Sequence, residues 1–247
     1  KYPNKQSKKG YTAPFLTLTS YLKCLNKINY IKLRTKFEEI NSEIYEYRAE
    51  NKVSPNENMI DTFEEDVIIE NSKGLDRDDK LLYQFLTLQP PRRNDDINKI
   101  FLIDKGYDDK NMNKKRNYIV IDDNKKPIEI VYNSYKTDDK YGRQFITLTN
   151  ENLINTIHNH IVFFNMSSGS KLFRLGLTKD NVLRADAMGR VIKRVFTKVY
   201  GKKITLNNIR HSYITWELKE TRTISYMENL ALMMGHSSKE QGLYKRV

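Results

Sequence analysis

The chain has 247 residues, and its 43 Lys and Arg against 31 Asp and Glu give a formal net charge of +12. A mean hydropathy of −0.70 with 30% charged residues excludes an integral membrane protein, because no segment approaches the roughly 18 apolar residues of a spanning helix. One cysteine and four histidines exclude a disulfide framework and argue against a cysteine-based or multi-histidine metal centre. The basic excess is typical of proteins that bind a polyanion, most often nucleic acid.

The N-terminal region is a basic tail followed by helices. Residues 1–10 are polar and lack the apolar core of a secretory signal, and because the first residue is not Met we expect a fragment of a longer chain. A short helix is predicted over residues 20–28, and a longer one over residues 30–52, where apolar side chains recur every three or four positions. Pro55 stops this pattern. We therefore place a domain boundary near residue 56, dividing the chain into regions 1–56 and 57–247.

The second region alternates between helical and strand patterns. Residues 56–76 are acidic and predicted as a loop; a helix then begins near Asp76 and ends at Pro90-Pro91. Residues 118–121, 128–132 and 145–148 are predicted strands, and the turn at residues 122–127 joins the first two as a hairpin. Four helical patterns follow, over residues 153–164, 187–199, 209–218 and 224–234, the last closed by Gly235. The predicted fold is α+β, mostly α, with a small three-stranded antiparallel sheet preceded by N-terminal helices.

Several common catalytic signatures are missing from the sequence. It has no glycine-rich phosphate loop and no nucleophile elbow. The paired carboxylates at residues 122–123 and 138–139 lie in predicted turns, which such residues favour. His158 and His160 are two positions apart on a predicted helix and so lie on different faces. No metal site and no cofactor are predicted.

The C-terminal third contains two short polar boxes. The first is Asn207-Asn208-Ile209-Arg210-His211-Ser212-Tyr213, at the start of a predicted helix. A cation is unfavourable near a helix N-terminus, and the placement of Arg210 is more natural if it faces a phosphate. The second box is Leu232-Met233-Met234-Gly235-His236-Ser237, and Tyr244 follows His236 by eight residues.

These boxes resemble the active-site signature of the tyrosine recombinases, or phage-type integrases. That signature has a His-x-x-Arg-His box, then a Leu-Gly-His box followed eight or nine residues later by the nucleophilic tyrosine. Pro90-Pro91-Arg92-Arg93 with Asp96-Ile97 is similar to the earlier arginine box of the family, and Tyr135-Lys136-Thr137 occupies the place of its hairpin lysine. The resemblance covers about residues 76–247 and is greatest to recombinases of large eukaryotic DNA viruses and their satellite viruses.

The resemblance implies cleavage of DNA through a 3′-phosphotyrosyl intermediate without a metal. Tyr244 would be the nucleophile, and Arg93 and Arg210 would clamp the non-bridging phosphate oxygens, a task suited to a planar, always charged guanidinium. His236 would donate a hydrogen bond to the phosphate, and Lys136 would protonate the leaving 5′-oxygen. The spacing to Asp96-Ile97 favours Arg93 over Arg92, and Lys136 is favoured over Lys140.

Two features depart from the family pattern. Asn207 stands where histidine is usual; asparagine donates a hydrogen bond but takes up no proton near neutral pH, so a slower or differently tuned enzyme is expected. Residues 101–117 are interpreted as an inserted basic loop. DNA-backbone contacts are predicted for a set of cations in and around these segments: Arg92, Lys110, Lys114, Lys115, Arg116 and Lys140.

The implied partner is double-stranded DNA, bound by a homotetramer that exchanges strands through a Holliday junction, with no membrane association. The implied role is integration or excision of a mobile or viral genome, or resolution of genome multimers. It would act inside the cell, in the nucleus or viral factory if viral and in the cytoplasm if prokaryotic, or be carried in the virion. Two alternatives stay open: a DNA-relaxing enzyme like the type IB topoisomerases, and a non-catalytic DNA-binding protein on a decayed recombinase scaffold.

Overall fold

A computed structural model of the protein describes residues 27–49, 58–173 and 185–235. The chain divides between Val53 and Ser54 into two compact units. In the first unit, the helix α1 (Lys27–Ala49) covers most of the predicted helix over residues 30–52. Exposed ion pairs one turn apart, Arg34 with Glu38 and Lys36 with Glu39, lie on its surface. The predicted short helix over residues 20–28 lies almost wholly outside the described residues.

The second unit begins with short helices and a four-stranded sheet. In chain order these elements are α2 (Glu65–Ser72), α3 (Arg77–Thr87), α4 (Asn94–Ile97), β1 (Ile100–Asp104), a 3₁₀ helix (Asp109–Asn111), β2 (Asn117–Ile121), β3 (Pro127–Tyr132), α5 (Asp138–Tyr141) and β4 (Gln144–Thr147). These elements are followed by the helices α6 (Glu151–Phe163), α7 (Ala185–Tyr200), α8 (Leu206–Glu217) and α9 (Ile224–Met233). The α+β class is confirmed, with about half of the described residues in helices.

Polar side chains start the helices where the sequence predicts them. Asp76 accepts a hydrogen bond from the backbone N–H of Asp79 at the start of α3, and Asn150 accepts one from Leu153 at the start of α6. Thr205 and Asn208 form a reciprocal capping box at the start of α8. Each contact satisfies a backbone donor that the first helical turn leaves without an intrahelical partner.

The sheet differs from the predicted one. It has four strands in the order β1-β2-β3-β4, and β1 pairs with β2 in parallel while the other two pairs are antiparallel. The prediction of three antiparallel strands is therefore incomplete. A parallel partner cannot be joined by a tight turn, so no local turn signal reveals it. The backbone of residues 169–172 bonds to β1 and covers that edge of the sheet.

Two other predicted segments are also corrected. The predicted inserted loop over residues 101–117 contains most of β1, a 3₁₀ helix and the first residue of β2. Its Met112 packs against Tyr118, Val120 and Val131, so this segment covers the outer face of the sheet. Within the predicted acidic loop over residues 56–76 lies α2, whose buried residues are only Ile68 and Ser72. With only two buried residues, this helix shows almost no periodic pattern of apolar residues in the sequence.

The main core lies between the inner face of the sheet and the helices. Ile119 and Ile130 face it from the strands, and α3 contacts α2, α6, α7 and α8. The inner face is covered by helices and the outer by residues 105–116, so all five residues of β2 are buried. This core holds the C-terminal end of α3 and the segment after it against α8 and α9. None of the described residues forms a helix long and apolar enough to cross a membrane.

Candidate active site

The two neighbouring arginines that follow α3 point in different directions. Pro90 and Pro91 end the helix and the backbone at Arg93 is extended, with φ −69° and ψ 158°, so successive side chains diverge. Arg92 is 1% exposed, whereas Arg93 is half-buried. Arg93 donates from Nη1 to the carbonyl oxygen of Gly235 at 2.6 Å. The segment between α3 and α4 thus carries one buried guanidinium, that of Arg92, and one partly exposed guanidinium, that of Arg93.

Arg210 ties this segment to the end of α9. It lies in the second turn of α8 and is 1% exposed. Its Nη1 donates to the carbonyl oxygens of Pro91, at 2.7 Å, and of Met234, at 3.3 Å. These acceptors compensate the cost of holding a cation near the N-terminal end of its own helix.

The backbone carbonyl groups at the C-terminal end of α9 bind the arginines of this site. Carbonyl groups at the C-terminal end of a helix carry partial negative charge, and most of them lack a full set of intrahelical partners. Those of Leu232, Met234 and Gly235 accept from Arg92, Arg210 and Arg93 respectively. The hydroxyl of Thr137 also donates to the Gly235 carbonyl, at 3.4 Å.

This convergence brings together segments that are far apart in the chain. Thr137 directly follows Lys136, and Gly235 directly precedes His236. The predicted residues Arg93, Lys136 and Arg210 therefore lie on segments that converge on the end of α9. His236 and Tyr244 lie outside the described residues, and their roles stay predictions.

Arg92 is built into the protein interior. Its guanidinium lies 4.2 Å from the ring centroid of Tyr132 and 5.2 Å from that of Tyr135, and its Nη2 donates to Gln144 and, at 3.2 Å, to the Leu232 carbonyl. Burial lowers the pKa of Arg92. A phosphate contact is predicted for Arg92 from the sequence. In the structure its guanidinium lies between two aromatic rings and α9, and the phosphate contact stays a prediction.

Asp96 supplies negative charge beneath the arginines. It is buried in α4, and burial raises the pKa of its carboxyl while the neighbouring charges of Arg92, Arg93 and Arg210 act in the opposite direction. A buried carboxylate among three guanidinium groups offsets part of their mutual repulsion. The acidic position of the predicted arginine box therefore lies within the cluster.

Lys136 is exposed in the connection between β3 and β4. On one side of it, the Tyr135 hydroxyl donates to the Gly142 carbonyl at 2.6 Å; on the other, Thr137 reaches Gly235. Lys140 is also exposed, in α5, with its ammonium 5.0 Å from the Tyr141 ring centroid. The preference for Lys136 over Lys140 stays a prediction, and the fixed neighbours of Lys136 favour it.

Asn207 is exposed in the first turn of α8, one helical turn before Arg210. Of the other predicted DNA contacts, Lys110, Lys114 and Lys115 are exposed on the segment that covers the sheet. Arg116 lies over the Phe101 ring, 4.1 Å from its centroid. These DNA contacts stay predictions.

Some residues that hold the site together were not predicted from the sequence. Thr137 was part of the predicted lysine box but was given no role of its own, and Gln144 was not singled out, because each acts through a contact with a residue distant in sequence. Asn117 was not singled out either, since a single polar residue at the start of a strand is unremarkable by itself. Among residues 27–49, 58–173 and 185–235, no group of three or more His, Cys, Asp and Glu side chains is placed to hold a metal ion.

Comparison with known proteins supports the fold. No protein-family model matches the chain, and no curated protein matches its sequence. Among solved structures it is similar to the crystal structure of XerA recombinase, with 14% identity and a TM-score of 0.50, over 96% of this chain and 77% of that one. The chain therefore has a recombinase-like fold.

Proposed function

We propose that this protein is a site-specific tyrosine recombinase. The single observation that carries the proposal is the convergence on the end of α9, where Arg93 and Thr137 bond to the Gly235 carbonyl and Arg210 bonds to that of Met234. Three segments that resemble recombinase boxes in the sequence meet there in space. The similarity of fold to a recombinase supports the same conclusion.

In the proposed reaction the Tyr244 phenol attacks a phosphodiester of double-stranded DNA. A bond forms between the tyrosine oxygen and phosphorus, the bond from phosphorus to the 5′-oxygen breaks, and the phenolic proton passes to water. The 5′-oxygen leaves with a proton from Lys136. Because the phosphotyrosyl ester conserves the energy of the broken bond, a 5′-hydroxyl can reverse the step on the same or another strand.

The arginines would stabilise the pentacoordinate state. Its developing charge lies on the two non-bridging oxygens, and guanidinium groups held in place before the reaction stabilise such charge without reorganising. Arg210 is buried and bonded to two carbonyl groups, which restricts its orientation. His236, directly after Gly235, would add a hydrogen bond to the same phosphate.

The proposal extends to assembly and biological role. A tyrosine recombinase exchanges strands in two rounds through a Holliday junction, so we propose a homotetramer on two duplexes. Exposed cations Lys110, Lys114, Lys115 and Lys140 would contact DNA phosphates, and such binding weakens as salt rises. The role would be integration or excision of a mobile or viral genome, or resolution of multimers, wherever that DNA lies.

Covalent trapping tests the proposal. The protein is incubated with a library of nicked duplexes, with and without EDTA, and the products are separated on a denaturing gel. We expect an EDTA-resistant adduct that is lost in Tyr244→Phe but kept in Tyr226→Phe, a matched change at a tyrosine exposed on α9. Sequencing of the trapped DNA then distinguishes a recombinase, which selects its site, from a relaxing enzyme, which does not.

Two results would contradict the proposal. If duplexes shift on a native gel but no adduct forms in any member of the library, the protein is a DNA-binding scaffold without strand cleavage. If the adduct survives in Tyr244→Phe, another residue is the nucleophile. The exposed Asn207, in place of the usual histidine, makes the first of these results the main alternative.

A further inference from the structure

A buried amide links the arginine segment to the loop that carries Lys136. Asn117, the first residue of β2, is 0% exposed. Its Nδ2 donates to the carbonyl oxygens of Asp96, at 2.7 Å, and Ser134, at 3.1 Å. Its Oδ1 accepts from the backbone N–H groups of Asn133, at 2.9 Å, and Ser134, at 2.8 Å. Two donors and two acceptor positions are the full capacity of an asparagine amide.

These contacts connect the two parts of the proposed site that must act on one phosphate. Asp96 lies in α4, three residues after Arg93, and Ser134 lies two residues before Lys136. The backbone of Asn117 is itself fixed, since its N–H donates to the Lys99 carbonyl at 2.9 Å. One side chain therefore bonds both to the arginine segment and to the loop that carries Lys136.

The loop is anchored on both sides of Lys136. Before it, Lys99 donates from Nζ to the hydroxyl of Ser134 at 3.1 Å, adding to the contacts from Asn117. After it, Thr137 donates to the Gly235 carbonyl. Lys136 is exposed between these anchors, so its side chain can reach a bound substrate while its backbone is held.

Asparagine suits this position better than other residues of its size. Aspartate would place carboxylate oxygens against the carbonyl oxygens of Asp96 and Ser134. Leucine would remove all four contacts, of which the one to the Asp96 carbonyl is buried and the other three are partly buried, and a buried polar group without a partner is costly. The four contacts thus need an amide, which explains a polar residue in the interior of the sheet.

We propose that Asn117 is a positioning residue for proton donation, holding the Lys136 loop in register with Arg93. The inference rests on the proposed function and adds a residue to it. In this scheme Lys136 gives its proton to the 5′-oxygen as the bond from phosphorus to that oxygen breaks. Asn117 touches no substrate and acts only through the loop.

The test uses the trapped DNA site with either oxygen or sulfur as the bridging 5′-atom of the scissile phosphate. A thiolate leaves without being protonated because the pKa of a thiol is near 8.5, whereas an alkoxide needs a proton. Asn117→Asp keeps the shape of the side chain and removes both donors. It is compared with Lys136→Ala, Arg210→Lys and Asn124→Asp, the last a matched change in the exposed turn between β2 and β3.

We expect Asn117→Asp to cleave the oxygen substrate about 100-fold more slowly than the unaltered protein, the usual effect of a group misplaced by about 1 Å. On the sulfur substrate the deficit should largely disappear, as for Lys136→Ala. Arg210→Lys should stay slow on both substrates, and Asn124→Asp should be unaffected. An equal loss on both substrates would overturn the inference, as would a normal rate with oxygen.

A second variant provides the test if Asn117→Asp does not fold. Fluorescence of Trp216, the single tryptophan, reports whether the second unit is folded. If Asn117→Asp does not fold, Lys99→Met removes only the contact with the Ser134 hydroxyl. This variant should show the same selective loss with oxygen, to a smaller degree, and no selective loss would contradict the anchoring role.

One readout does not depend on catalysis. Trypsin cleavage after Lys136 in the free protein, followed by mass spectrometry, should be faster in Asn117→Asp than in Asn124→Asp. Equal rates would overturn the inference whatever the activity. A protein that forms no adduct on any duplex would instead refute the proposed function, so the two failures are distinguishable.

Discussion

Replacing Gly235 by alanine tests the geometry at the end of α9. Gly235 has a φ of +69°, in the left-handed region, and a Cβ built there lies 2.4 Å from Nη1 of Arg92. That guanidinium cannot easily move, because it is buried against Tyr132 and bonded to Gln144 and Leu232. The substitution therefore combines backbone strain with a collision in the interior.

The expected loss follows from these two parts. A non-glycine residue at positive φ costs about 1 kcal/mol. Forcing an extra methyl group against an enclosed side chain costs about 1 to 3 kcal/mol more. We expect Gly235→Ala to lower the free energy of unfolding by about 2 to 4 kcal/mol in total.

Gly201 provides a matched control. It follows α7 with a φ of +67°, and a Cβ built there meets nothing within 4 Å. Gly201→Ala should therefore cost only the backbone part, about 1 kcal/mol. The assay is urea unfolding followed by Trp216 fluorescence, with adduct formation measured on the same samples. Activity should fall in Gly235→Ala alone, because the displaced carbonyl loosens Arg93 and Thr137.

Equal losses of stability in the two variants, within about 0.5 kcal/mol, would refute the collision with Arg92. A stable Gly235→Ala protein with full adduct formation would refute the importance of the contacts that Arg93 and Thr137 make with the Gly235 carbonyl.

Three further predictions concern the arginines, Asn207 and Tyr135. Arg93→Lys and Arg210→Lys keep a positive charge but lose the planar guanidinium that bonds to two oxygens at once. We expect adduct formation to slow by about 100-fold or more, while duplex binding on a native gel changes little. Equal losses of binding and cleavage would contradict this expectation. Asn207→His should speed adduct formation above a pH of about 6.5, where imidazole is neutral, and an unchanged rate between pH 5.5 and 8.5 would show that no base is needed there. Burial raises the pKa of the Tyr135 hydroxyl to about 12. The folded protein therefore keeps a proton that the unfolded chain loses near pH 10. The free energy of unfolding should accordingly fall as pH rises from about 10 to 12. Tyr135→Phe should reduce that slope in urea titrations at pH 9 and 11, and an identical slope would contradict the assigned cause.

Elements set by short-range signals were the ones predicted well. Asp76, Asn150 and Thr205 each cap a helix through a bond to a backbone N–H three residues on, so the starts of α3, α6 and α8 can be anticipated from local sequence. The strands β2, β3 and β4 also follow one another in the chain as antiparallel neighbours. By contrast, β1 is a parallel neighbour of β2, and only long-range pairing reveals it.

The candidate site divides in the same way. The boxes around Arg93, Lys136 and Arg210 were enough to propose a chemistry because they resemble the tyrosine recombinase signature. The contacts among those boxes were not predictable. Neither the enclosure of Arg92 beside Arg93 nor the reach of Thr137 to Gly235 has any signal within a few residues of it.

The sequence by itself determined where α3, α6 and α8 begin and the basic character of the chain, because capping and side-chain type are local properties. The residues proposed for phosphodiester chemistry came from the resemblance of short boxes to a known signature. Only the tertiary structure decided which arginine is enclosed, how the lysine loop is anchored and that Asn117 joins the two. These features depend on hydrogen bonds in which backbone groups without a partner nearby in the sequence bond to residues far away in the chain. A buried amide such as Asn117 is informative only once the groups around it are known.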